Sequence, residues 1–411
     1  MFSRVLFNCL VLCTTLCLSH SKPLVCPYHS KNVVDAVQLL ESNKPCSFLS
    51  ISFSPTNEEV QLIANSLRST QSVKSFYLSP AFVLQSDEDD RVGTLLRAIQ
   101  DNLSNPINTL GLWHEIHSDC TDKSATLLVS SLVSLLKKDT DSRISSISIQ
   151  NHPMATMNLK MLSFMMISHA GIKSLALKVT EDQSEQRDHA LASVFQNIGR
   201  HVTQMKSLTI EPHHILGSIG VGKHSAASLA ASLITNPGTL VNLELRGLKS
   251  WRDKQLSSIF NSIHDAGRSV LSRLVLTNTT LAYGSGRAME SLYKLLRLDN
   301  GVLREVVLDD AQISYDGARR LSQGFWRTKT LRVLSLLNAP ISTDGAAILL
   351  DAMTQSRLES LQLRNPGVRL MENYKHVEHL PGIDAKLLER IDKLGKEHLK
   401  YRLELESTPE L

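Results

Sequence analysis

The sequence predicts an α/β solenoid, with parallel strands lining a concave sheet and helices on the outer face. Three observations carry this. The pattern apolar-x-x-apolar-x-apolar recurs ten times, from Val73-Phe76-Leu78 to Leu358-Leu361-Leu363, with its first positions 27 to 37 residues apart. Between these segments the apolar residues fall at helical spacing, as in Leu321, Gly324 and Phe325. The last two full units align without gaps: Ile313-Ser-Tyr-Asp-Gly-Ala with Leu321 and Phe325, and Ile341-Ser-Thr-Asp-Gly-Ala with Leu349 and Met353. One such unit cannot bury its apolar face alone, whereas stacked units share a continuous core. The 411 residues would otherwise suggest two or three domains.

Composition narrows the class. With 42% hydrophobic and 20% charged residues, the chain is not of the disordered type. Nineteen Gly and six Cys exclude collagen-like and cysteine-framework proteins. A net charge of +4 gives no basis for a nucleic-acid partner.

From the N-terminus, Met1 to Ser21 reads as a secretory signal. Arg4 supplies the basic start, Val5–Leu18 the apolar stretch, and Ser19 and Ser21 the small residues before a cut. The expected address is the secretory lumen or the exterior, with no membrane span in the mature chain. Three cysteines would remain, Cys26, Cys46 and Cys120. Cys26 and Cys46 are near enough to the mature start to form a disulfide there, although all three could equally be thiols. Asn102-Leu-Ser and Asn278-Thr-Thr are N-glycosylation triplets.

Residues 22–45 are expected to cap the solenoid, with Asn32–Glu41 helical. The repeats occupy 46–365, an eleventh and degenerate one starting at Cys46 with Leu49 and Ile51. Asp316 and Asp344 stand where a carboxylate accepts the free amides of a helix start. The run Ser86-Asp-Glu-Asp-Asp90 reads as a solvated loop before a helix. Residues 366–411 form a linker and a C-terminal capping helix, from about Ala385 to Leu403, with Leu387, Leu388, Ile391, Leu394, Leu399 and Leu403 on one stripe.

These residues resemble the leucine-rich repeat superfamily. The period of 27–37 with a helix in each unit, and the Ile-Ser-x-Asp-Gly-Ala start, look like its ribonuclease-inhibitor-like subclass, which also occurs in NOD-like receptors and in the Ran GTPase-activating protein. The resemblance spans about residues 46–365 and implies a horseshoe whose concave sheet holds a protein partner. The Asn or Cys that usually follows the strand motif is mostly missing, and repeat lengths vary in the first half.

Alternation along each strand selects the residues that face the concave surface. Those with the greatest contact potential are Tyr77, Trp113, Glu244, Arg246, Arg273, Asp309, Leu337 and Arg364, since aromatic and Arg side chains anchor interfaces. Before Glu211 the face is small and neutral; beyond it the charges are mixed. No cofactor and no metal are called for, and no catalytic residue is assigned. His114-Glu-Ile-His117-Ser-Asp119-Cys120 holds metal-type ligands but no second cluster at metal-site spacing, and His376-Val-Glu-His379 is weaker. No Gly-rich phosphate loop or nucleophile elbow is present. The function implied is a secreted or lumenal scaffold that binds protein through its concave face. An intracellular regulator of the same fold, and a secreted effector or metal-dependent hydrolase using the His114–Cys120 segment, are the alternatives.

Overall fold

The computed structural model describes residues 27–364, except short segments at 43–45, 80, 85, 87–88, 103–105, 114, 117–121, 140–142, 155, 180–183, 213–221, 236–237, 250, 267–269, 280–285, 299–300, 312, 338, 340 and 342, and also residues 402–406. Each repeat enters as a strand, because the second and third aliphatics of its motif are driven out of water onto one face. Phe76 and Leu78, Leu110 and Leu112, and Leu243 and Leu245 are all fully buried. The chain then turns and returns as a helix.

In chain order the elements are β1 (Pro27–Ser30), α1 (Val33–Glu41), β2 (Cys46–Ile51), α2 (Asn57–Leu67), β3 (Val73–Leu78), β4 (Val83–Leu84), α3 (Arg91–Asp101), β5 (Thr109–Trp113), β6 (Glu115–Ile116) and α4 (Asp122–Lys138). There follow β7 (Ser146–Met154), α5 (Thr156–Ser168), β8 (Ser174–Val179), α6 (Glu185–His201), β9 (Ser207–Pro212), α7 (Lys223–Thr235), β10 (Asn242–Leu245) and α8 (Asp253–Asp265). The last are β11 (Arg273–Leu276), α9 (Arg287–Leu296), β12 (Glu305–Val307), α10 (Tyr315–Arg327), β13 (Val333–Leu336), α11 (Thr343–Thr354), β14 (Ser360–Arg364) and β15 (Arg402–Glu406).

Thirteen of these strands form one sheet in the order β1-β2-β3-β5-β7 through to β15, and every neighbouring pair is parallel. A small second sheet pairs β4 with β6. Equivalent motif positions lie opposite one another, as in Leu243 with Leu208 and Leu274. Among the described residues each helix packs against its neighbours in sequence, α1 and α11 having one such neighbour each. One continuous apolar cluster fills the space between the helices and the sheet, from Ala36 to Leu361. The architecture is an α/β solenoid of stacked strand–helix repeats built on one continuous sheet and one apolar core.

Three sequence expectations change in detail. The helix of α1 appears as expected, but the N-terminal cap also supplies a strand, β1, which continues the sheet. At α10 the helix start is capped by Ser314, whose hydroxyl accepts from the Gly317 amide at 3.2 Å, while Asp316 pairs with Arg319 instead. The side chain two residues closer to the turn reaches the free amides first. At the C-terminal end, Ala385–Tyr401 lies outside the described residues, but Leu403 is in the strand β15 rather than on a helical stripe. Arg402-Leu-Glu-Leu-Glu406 alternates strictly, a period of two that overrides the helical reading.

Candidate functional site

A parallel sheet ordinarily has helices on both faces. Here the helices form one layer, and the opposite face of the sheet is left partly open. Its outward side chains, such as Ser174 and Ala176 in β8 and Ser207 and Thr209 in β9, are half-buried, in strict alternation with buried neighbours. Because the pairing has almost no stagger, outward residues line up in rows running across the strands. One row contains His29, Ser50, Tyr77, Gly111, Ser148, Ala176, Thr209, Glu244, Val275 and Val307.

The N-terminal part of the face is aromatic. Phe48 packs on Tyr77 in a tilted pair, with ring centroids 4.7 Å apart and planes at 38°, and His29 meets Phe48 edge-on at 5.4 Å. The Tyr77 ring lies across Gly111: a Cβ at that glycine would stand 1.9 Å from a Tyr77 ring carbon. Tyr77 is therefore half-buried by its own neighbours. Trp113 ends β5, beside Gln150 of β7. His29 and Phe48 escaped the sequence reading because that reading started its outward map at the Val73 repeat.

The C-terminal part is charged, and its charges pair with one another. Arg273 contacts Glu244 across one strand boundary and Glu305 across the next, the latter at 2.9 Å. Arg246 reaches Glu244 at 3.1 Å, and Lys178 lies 3.7 Å from Glu211. Opposite charges on adjacent parallel strands satisfy each other before any partner arrives. Asp309 accepts from the Ser335 hydroxyl at 2.7 Å and the Leu337 amide at 2.9 Å. Burial pushes its carboxyl above the ordinary range, and these two hydrogen bonds only partly counter that. Val275 and Ser335, although on outward positions, are buried. In register, Val275 stands between Glu244 and Val307. Leu337 is half-buried; Arg364 ends β14, opposite Glu406.

The turn after the strand shows a feature that replaces the missing Asn or Cys. Gly247, Asn278 and Asp310, each two residues beyond the last aliphatic of the motif, share a left-handed backbone, with φ of 73°, 59° and 55°. Gly, Asn and Asp are the residues that tolerate it.

The glycosylation triplets differ in environment. Asn102 is 3% exposed, and its Nδ2 donates to the carbonyls of Leu67 at 2.8 Å and Thr70 at 2.9 Å. The nitrogen a glycan would occupy is engaged inside the fold. Asn278 is half-buried at the strand end, its backbone N–H donating to the Asp309 carbonyl at 3.0 Å. Cys46 is buried, with its sulfur 3.1 Å from the Phe48 carbonyl; Cys26 lies outside the described residues. His114, His117, Asp119 and Cys120, as well as His376 and His379, also lie outside them. The acidic run ends on arginines: Asp89 bonds Arg91 at 2.5 Å in a buried pair, and Asp90 contacts Arg97.

No protein-family description matches the sequence, and no curated protein does. Among solved structures, the chain is similar to an internalin from Listeria monocytogenes, at 12% identity and a TM-score of 0.41, over 77% of this chain and 80% of that one. It is also similar to the Rad7 and Elc1 complex in yeast, at 13% identity and a TM-score of 0.42, over 82% of this chain and 79% of that chain.

Proposed function

We propose that this chain is a non-enzymatic scaffold, secreted or lumenal, that holds a protein partner on its concave sheet face. The observation that carries the reading is the open face itself, a thirteen-stranded parallel sheet whose outward side chains are left half-exposed by the single helix layer. The self-paired charges leave that face near neutral, which suits a partner that buries mixed polar and aromatic surface rather than a polyanion. The secretory address rests on the Met1–Ser21 pattern alone, with Asn278 as the glycan acceptor and Cys26–Cys46 as the disulfide that address would permit. No helix among the described residues is long and apolar enough to cross a membrane. Within the fold, the helix in each unit and the Ile-Ser-x-Asp-Gly-Ala starts favour the ribonuclease-inhibitor-like subclass.

A photoreactive residue at Thr209, on the concave face, tests the binding reading against one at the exposed, outer-layer Lys254. Saturable crosslinking of one protein from secretory fluid at Thr209 and not at Lys254 is the expected result. Equal labelling at both positions, or saturable labelling only from cytosol, would overturn it. N-terminal sequencing of the mature protein checks the address: a start near Lys22 is expected, and an intact Met1 defeats it.

A further inference from the structure

The outer helix layer carries a cluster that the concave-face function leaves unused. Glu185 and His189 lie one turn apart on α6, and His224 lies on the second residue of α7, in the next repeat. The carboxylate Oε1 of Glu185 is 3.9 Å from Nε2 of His189 and 3.8 Å from Nε2 of His224. These separations are too long for hydrogen bonds. The two imidazole rings are stacked, with centroids 4.0 Å apart and planes 29° apart, so their Nε2 edges converge on the same carboxylate. Nε2 of His224 is buried and has no hydrogen-bond partner among the described residues.

The cluster is held by a rigid joint. Asp188, on the same helix as Glu185 and His189, accepts from the amides of Gly222 at 2.7 Å, His224 at 2.9 Å and Ser225 at 3.0 Å, and from the Ser225 hydroxyl. The backbone of His224 is therefore fastened to the helix that carries the other two groups. The backbones that carry the donors are held in fixed register, so that side-chain rotation alone has to bring the donor atoms together.

We propose that Glu185, His189 and His224 bind one first-row divalent transition ion of the zinc class. All three donor atoms lie within 4.8 Å of one another. Two donors at zinc bond lengths of about 2.0–2.1 Å in tetrahedral geometry stand roughly 3.4 Å apart. Shortening the two carboxylate–imidazole separations by about half an ångström, and the imidazole–imidazole one by at most about 1.4 Å, closes the site through χ rotations. Two imidazoles and one carboxylate select zinc, cobalt, nickel or copper over calcium and magnesium, which take oxygen donors. Three protein ligands leave a coordination position open to water or to a donor from another molecule. Bound there, the ion ties two successive repeats together on the convex side and stabilises their junction by mass action.

The experiment titrates the purified full chain with zinc chloride by calorimetry, and with cobalt(II) followed by its visible absorption. Wild type is expected to take up an ion with tetrahedral or five-coordinate cobalt bands. The double variant His189→Ala/His224→Ala is expected to lose that ion, with its metal-free circular dichroism unchanged. Glu185→Gln, whose exposed side chain supports no backbone group, is expected to weaken binding on the order of tenfold or more, and it keeps the test readable if a histidine variant fails to fold. Zinc uptake and cobalt bands that persist undiminished in the double variant and in Glu185→Gln would place the ion elsewhere and overturn the proposal. So would the absence of uptake by wild type.

Discussion

Gly111 is the residue on which the N-terminal half of the concave face turns. Its neighbours in register are Tyr77 and Ser148, and the Tyr77 ring occupies the space a side chain would need. Gly111→Ala is expected to destabilise the chain by about 1–3 kcal/mol, the usual cost of forcing extra volume against a packed ring. In a Tyr77→Ala background the same substitution should cost almost nothing. Urea midpoints of the four proteins in this cycle measure the coupling, and equal costs in both backgrounds would show that the ring is not the obstacle. Sequence reading placed Tyr77 and Gly111 outward on adjacent strands, but not the ring across the glycine, because a side chain's lean along the sheet is not encoded in strand alternation. The same holds for Arg273 and Glu244: their outward positions were legible, their mutual pairing was not. Motif spacing named the faces, while the choice between solvent, neighbour and partner belongs to packing.

At the scale of elements, successive helices are joined by aspartates. Asp188 of α6 accepts the first amides of α7, and Asp253 of α8 accepts those of Arg287 at 3.1 Å and Ala288 at 2.7 Å in α9. Burial raises the Asp188 carboxyl, but the Ser225 hydroxyl and the Ser225, His224 and Gly222 amides outweigh it, and the net position is below the ordinary value of 3.8. A carboxyl lowered in the folded state contributes stability that is full above its unfolded value and lost as pH falls through the folded one. Asp309 is shifted the other way, so its penalty is absent in acid and grows as pH rises past 3.8 toward its raised value. Asp188→Asn should therefore cost about 1–2 kcal/mol at pH 7, in the range of a lost helix cap, and should flatten the loss of stability below pH 4. Asp309→Asn should instead remove the decline that sets in as pH rises above the ordinary carboxylate value. Denaturation midpoints between pH 2.5 and 7 read both, and parallel profiles for wild type and variants would defeat the assignment. The sequence disclosed the helices through their 3.6-residue spacing. It did not disclose the aspartate joints, which link residues about one repeat apart and leave no local motif; the Glu185, His189 and His224 cluster was hidden for the same reason.

The whole molecule must end its sheet on both sides. β15 closes the C-terminal end by pairing Arg402–Glu406 with Ser360–Arg364, and its alternation puts Arg402, Glu404 and Glu406 in one set and Leu403 and Leu405 in the other. Charged residues on an edge strand discourage pairing with another chain. A chain ending at residue 401 exposes β14 as the edge and is expected to self-associate, seen as a larger mass in light scattering at concentrations where the full chain is unchanged. An equal mass for both would show that β15 has no such role. The solenoid was readable from a motif repeated ten times, since repetition averages out the noise of any single unit. At its ends only the helix α1 was legible; the terminal strands β1 and β15 were not, because each occurs once.

Bonds between repeats run both ways along the chain, as the Asn278 backbone N–H donating to the later Asp309 carbonyl shows, but one set points back toward the N-terminus. Asp188, Asp253 and the carbonyls of Leu67 and Thr70 are acceptors in an earlier repeat, and the groups that donate to them, the starts of α7 and α9 and the Asn102 amide, come later in the chain. Asp309 stands in the same relation to Ser335 and Leu337. A polypeptide leaving the ribosome N-terminus first has each of these acceptors already in place when its donor emerges. At these junctions the growing end of the stack offers ready acceptors to the next unit during synthesis, whereas α7 and α9 formed alone would lack the aspartates that cap them.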